Sequence, residues 1–178
     1  MRSLGGFTVW LDGSPVPAAR WRRRKVAALF KCLLGAQGYR LQCEQLIDVL
    51  FPGAGAKALR STIHLLHKTL DRPGASLSHL RGEGEWLALP PAFDGEPAAL
   101  WLDAAAFSHA VVDALARRQP VACRAALALY GGDYLPSDRY EVWAERPAPA
   151  PRHAEPRGRH DGRSASLPAH RAHRRAHQ

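Results

Sequence analysis

The segment Ala56–Asp71 carries basic and hydrogen-bonding side chains along one side of a predicted helix. With Ile63 at the centre of the buried side, an advance of about 100° per residue directs these side chains outward: Lys57, Ser61, His64, Leu65 and Lys68. Arg60 and His67 flank them. Basic side chains bind phosphate oxygens or guanine edges, Ser and His do either, and Leu65 suits contact with a thymine methyl group. The pattern suits contact with the DNA major groove, but the alternative, an ordinary solvated helix face, describes most polar helix faces and stays open on this helix alone.

A second basic cluster lies earlier in the chain, before the segment Ala56–Asp71. Arg22, Arg23, Arg24 and Lys25 follow Arg20 at the start of a helix predicted over 21–37. Backbone N–H groups at a helix N-terminus attract phosphate, and neighbouring arginines strengthen that attraction. The alternative is a charge cluster that only increases solubility.

The elements that would position these clusters follow from hydrophobic spacing. Alternating apolar residues over 4–11 and a turn at Asp12-Gly13 predict an N-terminal hairpin or small sheet. Apolar residues at helical spacing predict helices over 21–37, 44–51 and 56–71, of which 57–71 is the DNA-contacting helix. Glycines around Arg81-Gly82-Glu83-Gly84 predict a final hairpin within 77–89. This is the element order of a winged helix, in which Arg81 is a candidate DNA contact on the wing.

The rest of the chain has a different composition. Residues 91–100 are rich in Pro and Ala and indicate a linker, and helices are expected over 102–118 and 120–130, with a further helical segment over 134–145. Two short helices of this size resemble one unit of a helical repeat, which cannot bury its apolar face alone. From Arg146 onward the chain has 8 Arg, 5 His and 5 Pro in 33 residues, so we expect a disordered tail.

The distribution of charge supports this division. Residues 1–90 contain 13 Lys and Arg against 6 Asp and Glu, whereas residues 91–145 contain 4 against 8, and 146–178 contain 8 against 2. A basic first half followed by an acidic segment indicates a nucleic-acid-binding module attached to a segment that does not contact nucleic acid.

Several classes of function are disfavoured. No apolar run approaches the length of a membrane span, and the N-terminus lacks the apolar core of a secretory signal, so a cytoplasmic protein is expected. Cys32, Cys43 and Cys123 form no disulfide pattern or C-x-x-C pair. His64 and His67 lack a matched carboxylate or thiolate for a metal site. No acid, base and nucleophile set is recognisable, and we predict no enzyme activity, no metal and no cofactor.

Several stretches together resemble a known family. Leu4-Gly5-Gly6-Phe7, Trp21-Arg22-Arg23-Arg24-Lys25, Glu44-Gln45-Leu46-Ile47-Asp48 and Phe51-Pro52 resemble the OmpR-type winged helix of SARP-type transcriptional activators. Residues 125–136 and Tyr140-Glu141-Val142-Trp143-Ala144-Glu145 resemble the start of the bacterial transcriptional activator domain, a TPR-like helical repeat. The likeness covers about residues 3–145, with both halves in the same order.

The resemblance implies a regulator that binds promoter repeats, as a homodimer on direct repeats, and recruits RNA polymerase. It also implies DNA contacts by position in the third helix, from Arg60, Ser61, Thr62, His64, His67 and Lys68. The activator domain normally continues well past Glu145, whereas the likeness here ends where the composition changes. We hypothesise a frameshift near Arg146, which translation of the other two reading frames would test.

The sequence therefore predicts an α+β fold. Its parts are a winged-helix domain (1–90), a linker (91–100), a partial all-α TPR-like activator domain (101–145) and a disordered tail (146–178). The predicted function is sequence-specific binding of double-stranded DNA to regulate transcription. The predicted contacts are Arg22, Arg23, Arg24, Lys25, Arg60, Ser61, Thr62, His64, His67, Lys68 and Arg81. The alternative is a protein-interaction module, or a non-activating competitor of a full-length regulator.

Overall fold

The computed structural model describes residues 1–11, 13–71, 78–89, 101–141, 143 and 144. These residues form an α+β fold with five α-helices and two small antiparallel sheets. The predicted linker at 91–100 and the predicted tail from 146 lie outside the described residues.

The first sheet is a short hairpin near the N-terminus. Strand β1 (Trp10–Leu11) pairs with β2 (Ser14–Pro15), and Gly13 in the turn has a φ of 77°, which glycine adopts without strain. The predicted hairpin is confirmed, although it covers only residues 10–15, and residues 2–8 contribute isolated bridges, such as that between Arg2 and Thr8.

Three helices follow and form the main core. They are α1 (Arg24–Gly35), α2 (Cys43–Leu50) and α3 (Gly55–Leu70). A 3-10 turn, Ala18–Trp21, precedes α1, so the first helix is shorter than the span 21–37 predicted for it. The core side chains with 2% exposure or less in these helices are Val26, Leu29, Leu33, Leu34, Leu46, Leu50, Leu59, Leu66 and Leu70.

The buried side of α3 differs from the predicted one. Ile63, predicted at its centre, is only half-buried, whereas Thr62 and Thr69 are 6% and 7% exposed. The Thr62 hydroxyl donates a hydrogen bond to the Ala58 carbonyl at 2.9 Å, and Thr69 bonds the Leu65 carbonyl in the same way. These bonds to the preceding turn satisfy the hydroxyl groups, so threonine can occupy the buried side.

The second sheet contains three strands that are distant in sequence. They are β3 (Arg40–Gln42), β4 (Arg81–Glu83) and β5 (Trp86–Ala88), in the order β3-β5-β4. Glu83 pairs with Trp86, so the turn lies at Gly84 and Glu85, and Arg81 lies in a strand instead of in the predicted turn. The final hairpin is thus confirmed, and β3 anchors it to the link between α1 and α2.

A cluster of polar side chains joins the end of α3 to the approach to β4. Asp71 ends the helix with extended backbone angles. Its carboxylate accepts hydrogen bonds from the backbone N–H of His79 at 2.9 Å and from the Ser78 hydroxyl at 2.8 Å, and it lies 2.9 Å from Nδ1 of His67. Burial alone would raise the pKa of Asp71, but the bonds from His79, His67 and Ser78 outweigh burial and lower it.

This lowered pKa predicts acid sensitivity. A carboxyl group whose pKa is lower in the folded chain stabilises the fold above the unfolded pKa, and this contribution disappears as the pH falls through the folded pKa. We therefore expect the free energy of unfolding, measured in urea, to fall more between about pH 5 and about pH 3 in the wild type than in Asp71→Asn. Equal losses in the two proteins would contradict the assignment.

Two further helices, α4 (Asp103–Arg117) and α5 (Pro120–Leu129), pack against each other. The helix predicted over 134–145 is not formed in the described residues. A 3-10 turn, Pro136–Asp138, takes its place, because Leu135 adopts a left-handed φ of 42° and the following backbone bonds close i to i+3 turns. No helix of the described residues is long and apolar enough to span a membrane.

The N-terminal segment binds the start of α4 through one buried carboxylate. Asp103 is 7% exposed and accepts hydrogen bonds from Ser3 N at 2.7 Å, Ser3 Oγ at 2.6 Å and Leu4 N at 2.9 Å. The Ala104 N–H donates a fourth, at 2.8 Å. Leu4 also bridges to Tyr134. The hydrophobic core is accordingly continuous across the predicted boundary between 1–90 and 101–145.

Removal of this carboxylate should destabilise the whole fold. Asp103→Ala leaves buried N–H donors of residues 3 and 4 without an acceptor, so the free energy of unfolding should fall by about 3 kcal/mol or more. Asp113→Ala is the matched control, because Asp113 lies on the same helix in an exposed pair with Arg117. Its effect should stay within about 0.5 kcal/mol. A loss of similar size in both variants, measured by urea denaturation, would refute the structural role of Asp103.

Candidate nucleic-acid interface

The exposed side of α3 is the strongest candidate for a binding surface. Five exposed residues, which we call the basic face, lie along it: Lys57, Arg60, Ser61, His64 and Lys68. Positions 57, 61, 64 and 68 follow one line on the helix surface and span about 16 Å at 1.5 Å per residue. A helix about 10–12 Å across with its side chains fits the DNA major groove, which is about 12 Å wide.

The electrostatic character of this face is uniform. Helix α3 contains three Lys and Arg residues and no Asp or Glu. Acidic residues therefore do not interrupt the face, and its side chains are directed to solvent because the opposite side of the helix packs into the core. Such a surface attracts polyanions through long-range electrostatics.

Two residues predicted on this surface, Thr62 and Leu65, are turned toward the core, whereas His67 lies at its edge, as expected. Thr62 was expected to contact DNA from the family resemblance. This expectation is wrong, because its side chain is buried and its hydroxyl is bonded within the helix. Leu65, predicted to point outward, is half-buried and packs against the core. His67 is partly exposed at the edge of the face, where its ring contacts Asp71 and Ser78.

The basic run before and within α1 divides into two groups. Lys25 donates a hydrogen bond to the Leu50 carbonyl at 2.5 Å, at the C-terminus of α2, and lies 5.7 Å from the ring centroid of Phe51. Arg24 pairs with Glu141 at 2.8 Å. Arg22 and Arg23 are exposed, and neither side chain has a hydrogen bond or ion pair with the described residues.

Arg20, which precedes this run, contacts the candidate helix directly. Its guanidinium donates a hydrogen bond to the Thr69 carbonyl at 3.2 Å, near the C-terminus of α3, where a positive charge is favourable. This contact brings the turn before α1 to the C-terminal end of α3. Arg20 therefore stabilises the helix that carries the basic face.

The three-stranded sheet adds a cation that sequence reasoning did not select. Arg40 and Arg81 both pair with Ala88, from opposite sides, so they share one face of the sheet about 10 Å apart. The Arg40 guanidinium lies 4.9 Å from the ring centroid of Trp86. Both arginines are exposed, as is Glu83 beside them. Arg40 could have been found only from the pairing of β3 with β5, because its own stretch contains no motif.

A cavity of about 390 Å³ lies between α1, the end of α2 and residues 138–143. Its lining includes Trp21, Trp143 and the two ion pairs Arg24–Glu141 and Lys31–Asp138. Burial raises the pKa of Tyr134 to about 12, but Tyr134 does not line this cavity. Within the described part of the chain, no group of three or more His, Cys, Asp or Glu residues is placed to hold a metal ion.

No family model matches the chain, and no match is found among curated proteins or solved structures.

Proposed function

We propose that this chain is a cytoplasmic transcription regulator that binds double-stranded DNA through a winged-helix fold in residues 1–89. In this proposal α3 enters the major groove and the β4–β5 hairpin is the wing. The observation that carries the proposal is the basic face of α3, an exposed surface with three cations and no carboxylate on a helix whose other side is buried.

The arrangement around α3 supports this assignment. The order of elements is a hairpin, α1, β3, α2, α3 and a second hairpin that pairs with β3. The Asp71 cluster ties the end of α3 to the approach to the second hairpin, so a helix in the groove would hold the hairpin beside the duplex. The resemblance of the sequence to SARP-type activators favours the same winged-helix arrangement.

The chemistry of binding divides between phosphate and base contacts. Lys57, Lys68, Arg22 and Arg23 are proposed as phosphate contacts, which position the protein without reading sequence. Arg60, Ser61 and His64 occupy the middle of the basic face and are proposed to reach base edges. One well-formed base contact discriminates by about 1–3 kcal/mol.

A second candidate function has its own supporting observation. The hairpin of α4 and α5 exposes Val112, Leu115, Val121 and Leu127, with exposures from 46% to 69%. An apolar surface on a short helical pair is typical of protein contact. In the regulator proposal this partial TPR-like unit contacts RNA polymerase or a second copy. In the alternative, the chain is a protein-interaction module or a non-activating competitor and does not bind DNA itself.

The first test is an anisotropy titration of the full chain against a labelled random-sequence duplex over a series of salt concentrations. Neutralisation of about four to six phosphates predicts a log–log slope of roughly −4 to −5. Absence of binding even at low salt would overturn the DNA proposal and favour the protein-interaction alternative.

A matched pair of variants tests the surface itself. Lys68→Ala should weaken binding by about fivefold, or about 1 kcal/mol, for all sequences alike, and should make the salt slope less negative by about 1. Arg124→Ala removes an exposed cation from α5, away from the basic face, and should change neither quantity. Equal effects of both variants would indicate a response to net charge alone and would reject α3 as the binding surface.

A further inference from the structure

Residues 133–141, which we call the acidic strap, run from the end of the α5 region to the basic start of α1. The strap contains Asp133, Asp138 and Glu141 with a single cation, Arg139. Asp133 pairs with Arg139 inside the strap at 2.9 Å, whereas the other two carboxylates reach α1. Asp138 is thus neutralised by Lys31 within α1, and Glu141 is the strap carboxylate that reaches the basic run.

The two contacts with α1 differ in exposure. The pair between Lys31 and Asp138 is 2.5 Å long with both side chains largely buried, and Lys31 Nζ also lies 4.5 Å from the ring centroid of Phe7. The pair between Arg24 and Glu141 is exposed, at 88% and 42% of the two side chains. An exposed pair contributes little to stability, so another anion can replace Glu141 at low cost.

The fold keeps Glu141 beside Arg24 whatever the strength of that pair. At one end of the strap, Gly5 N bonds the Asp133 carbonyl at 2.9 Å and Leu135 N bonds the Ser3 carbonyl at 2.8 Å. At the other end, Trp143 is 8% exposed in the core. A carboxylate attached in this way acts at a high effective concentration, as tethered ligands do.

From this geometry we propose that Glu141 is an internal competitor of DNA phosphate for Arg24, so that the strap is an autoinhibitory contact on the DNA-binding region. The inference rests on the proposed DNA binding. A phosphate that binds at Nη2 of Arg24 must displace Glu141. Arg24 therefore adds less to affinity, and less to counterion release, than an unpaired arginine would.

The decisive comparison is Glu141→Gln against Asp133→Asn in the full chain. Both variants remove one strap charge, but only Glu141 contacts α1. Glu141→Gln should bind a random duplex about two- to fivefold tighter at low salt, with a log–log salt slope steeper by up to about 1. Asp133→Asn should reproduce the wild type. Equal tightening in both variants, or none in either, would overturn the proposal.

Variants in the basic run give a second test, and its comparison in the wild type does not depend on the stability of Glu141→Gln. In the wild type, Arg24→Gln should change the salt slope less than Arg23→Gln, because Arg24 is paired with Glu141, whereas Arg23 has no ion pair with the described residues. In the Glu141→Gln background the two substitutions should have equal effects. A larger effect of Arg24→Gln than of Arg23→Gln in the wild type would overturn the proposal. Absence of binding by both the wild type and Glu141→Gln would instead overturn DNA binding itself.

Discussion

The buried carboxylate of Asp103 determines how the two parts of the chain are joined. Three donors from residues 3 and 4 and one from the first turn of α4 surround it, so its negative charge is stabilised by hydrogen bonds in place of water. Once Ser3 is fixed, its carbonyl accepts the N–H of Leu135. The strap, the start of α4 and the N-terminal segment thus depend on the same carboxylate. Together with the buried Lys31–Asp138 pair and the core residue Trp143, this anchored end holds the strap against α1, where Glu141 pairs with Arg24.

A close backbone approach reinforces this joint. Gly5 has a φ of 70°, and a Cβ atom there would lie 2.0 Å from the Gly131 carbonyl oxygen. Only glycine allows the N-terminal segment to lie so near the end of α5. Gly5 and the Gly131-Gly132 pair are therefore contact points between distant segments.

Local pattern predicted most of the elements, and its errors have physical causes. The helices in 21–37, 44–51 and 56–71 follow from apolar spacing, since each buries one side against the same core. In α3 the buried side includes Thr62 and Thr69 in place of a fully buried Ile63, because both threonine hydroxyls are bonded inside the helix. The helix expected over 134–145 is replaced by turns in the described residues. The left-handed Leu135 begins them, and the strap is anchored to the N-terminal segment. That constraint comes from residues 1–5, beyond any local window.

The candidate site shows the same division between local and long-range information. The basic face could be predicted because a helix period relates its members, and four of its five residues were among the predicted DNA contacts. The pairing of Arg24 and Lys25 could not be predicted, because their partners, Glu141 and the Leu50 carbonyl, are distant in sequence.

The charge pattern itself was visible in the sequence, with a basic first half and an acidic segment after residue 90. It was interpreted as two independent modules, but opposite charges on one chain also attract each other. In the described residues, Asp138 and Glu141 of the acidic segment pair with Lys31 and Arg24, so the charge available to a polyanion is smaller than the composition of residues 1–90 alone indicates.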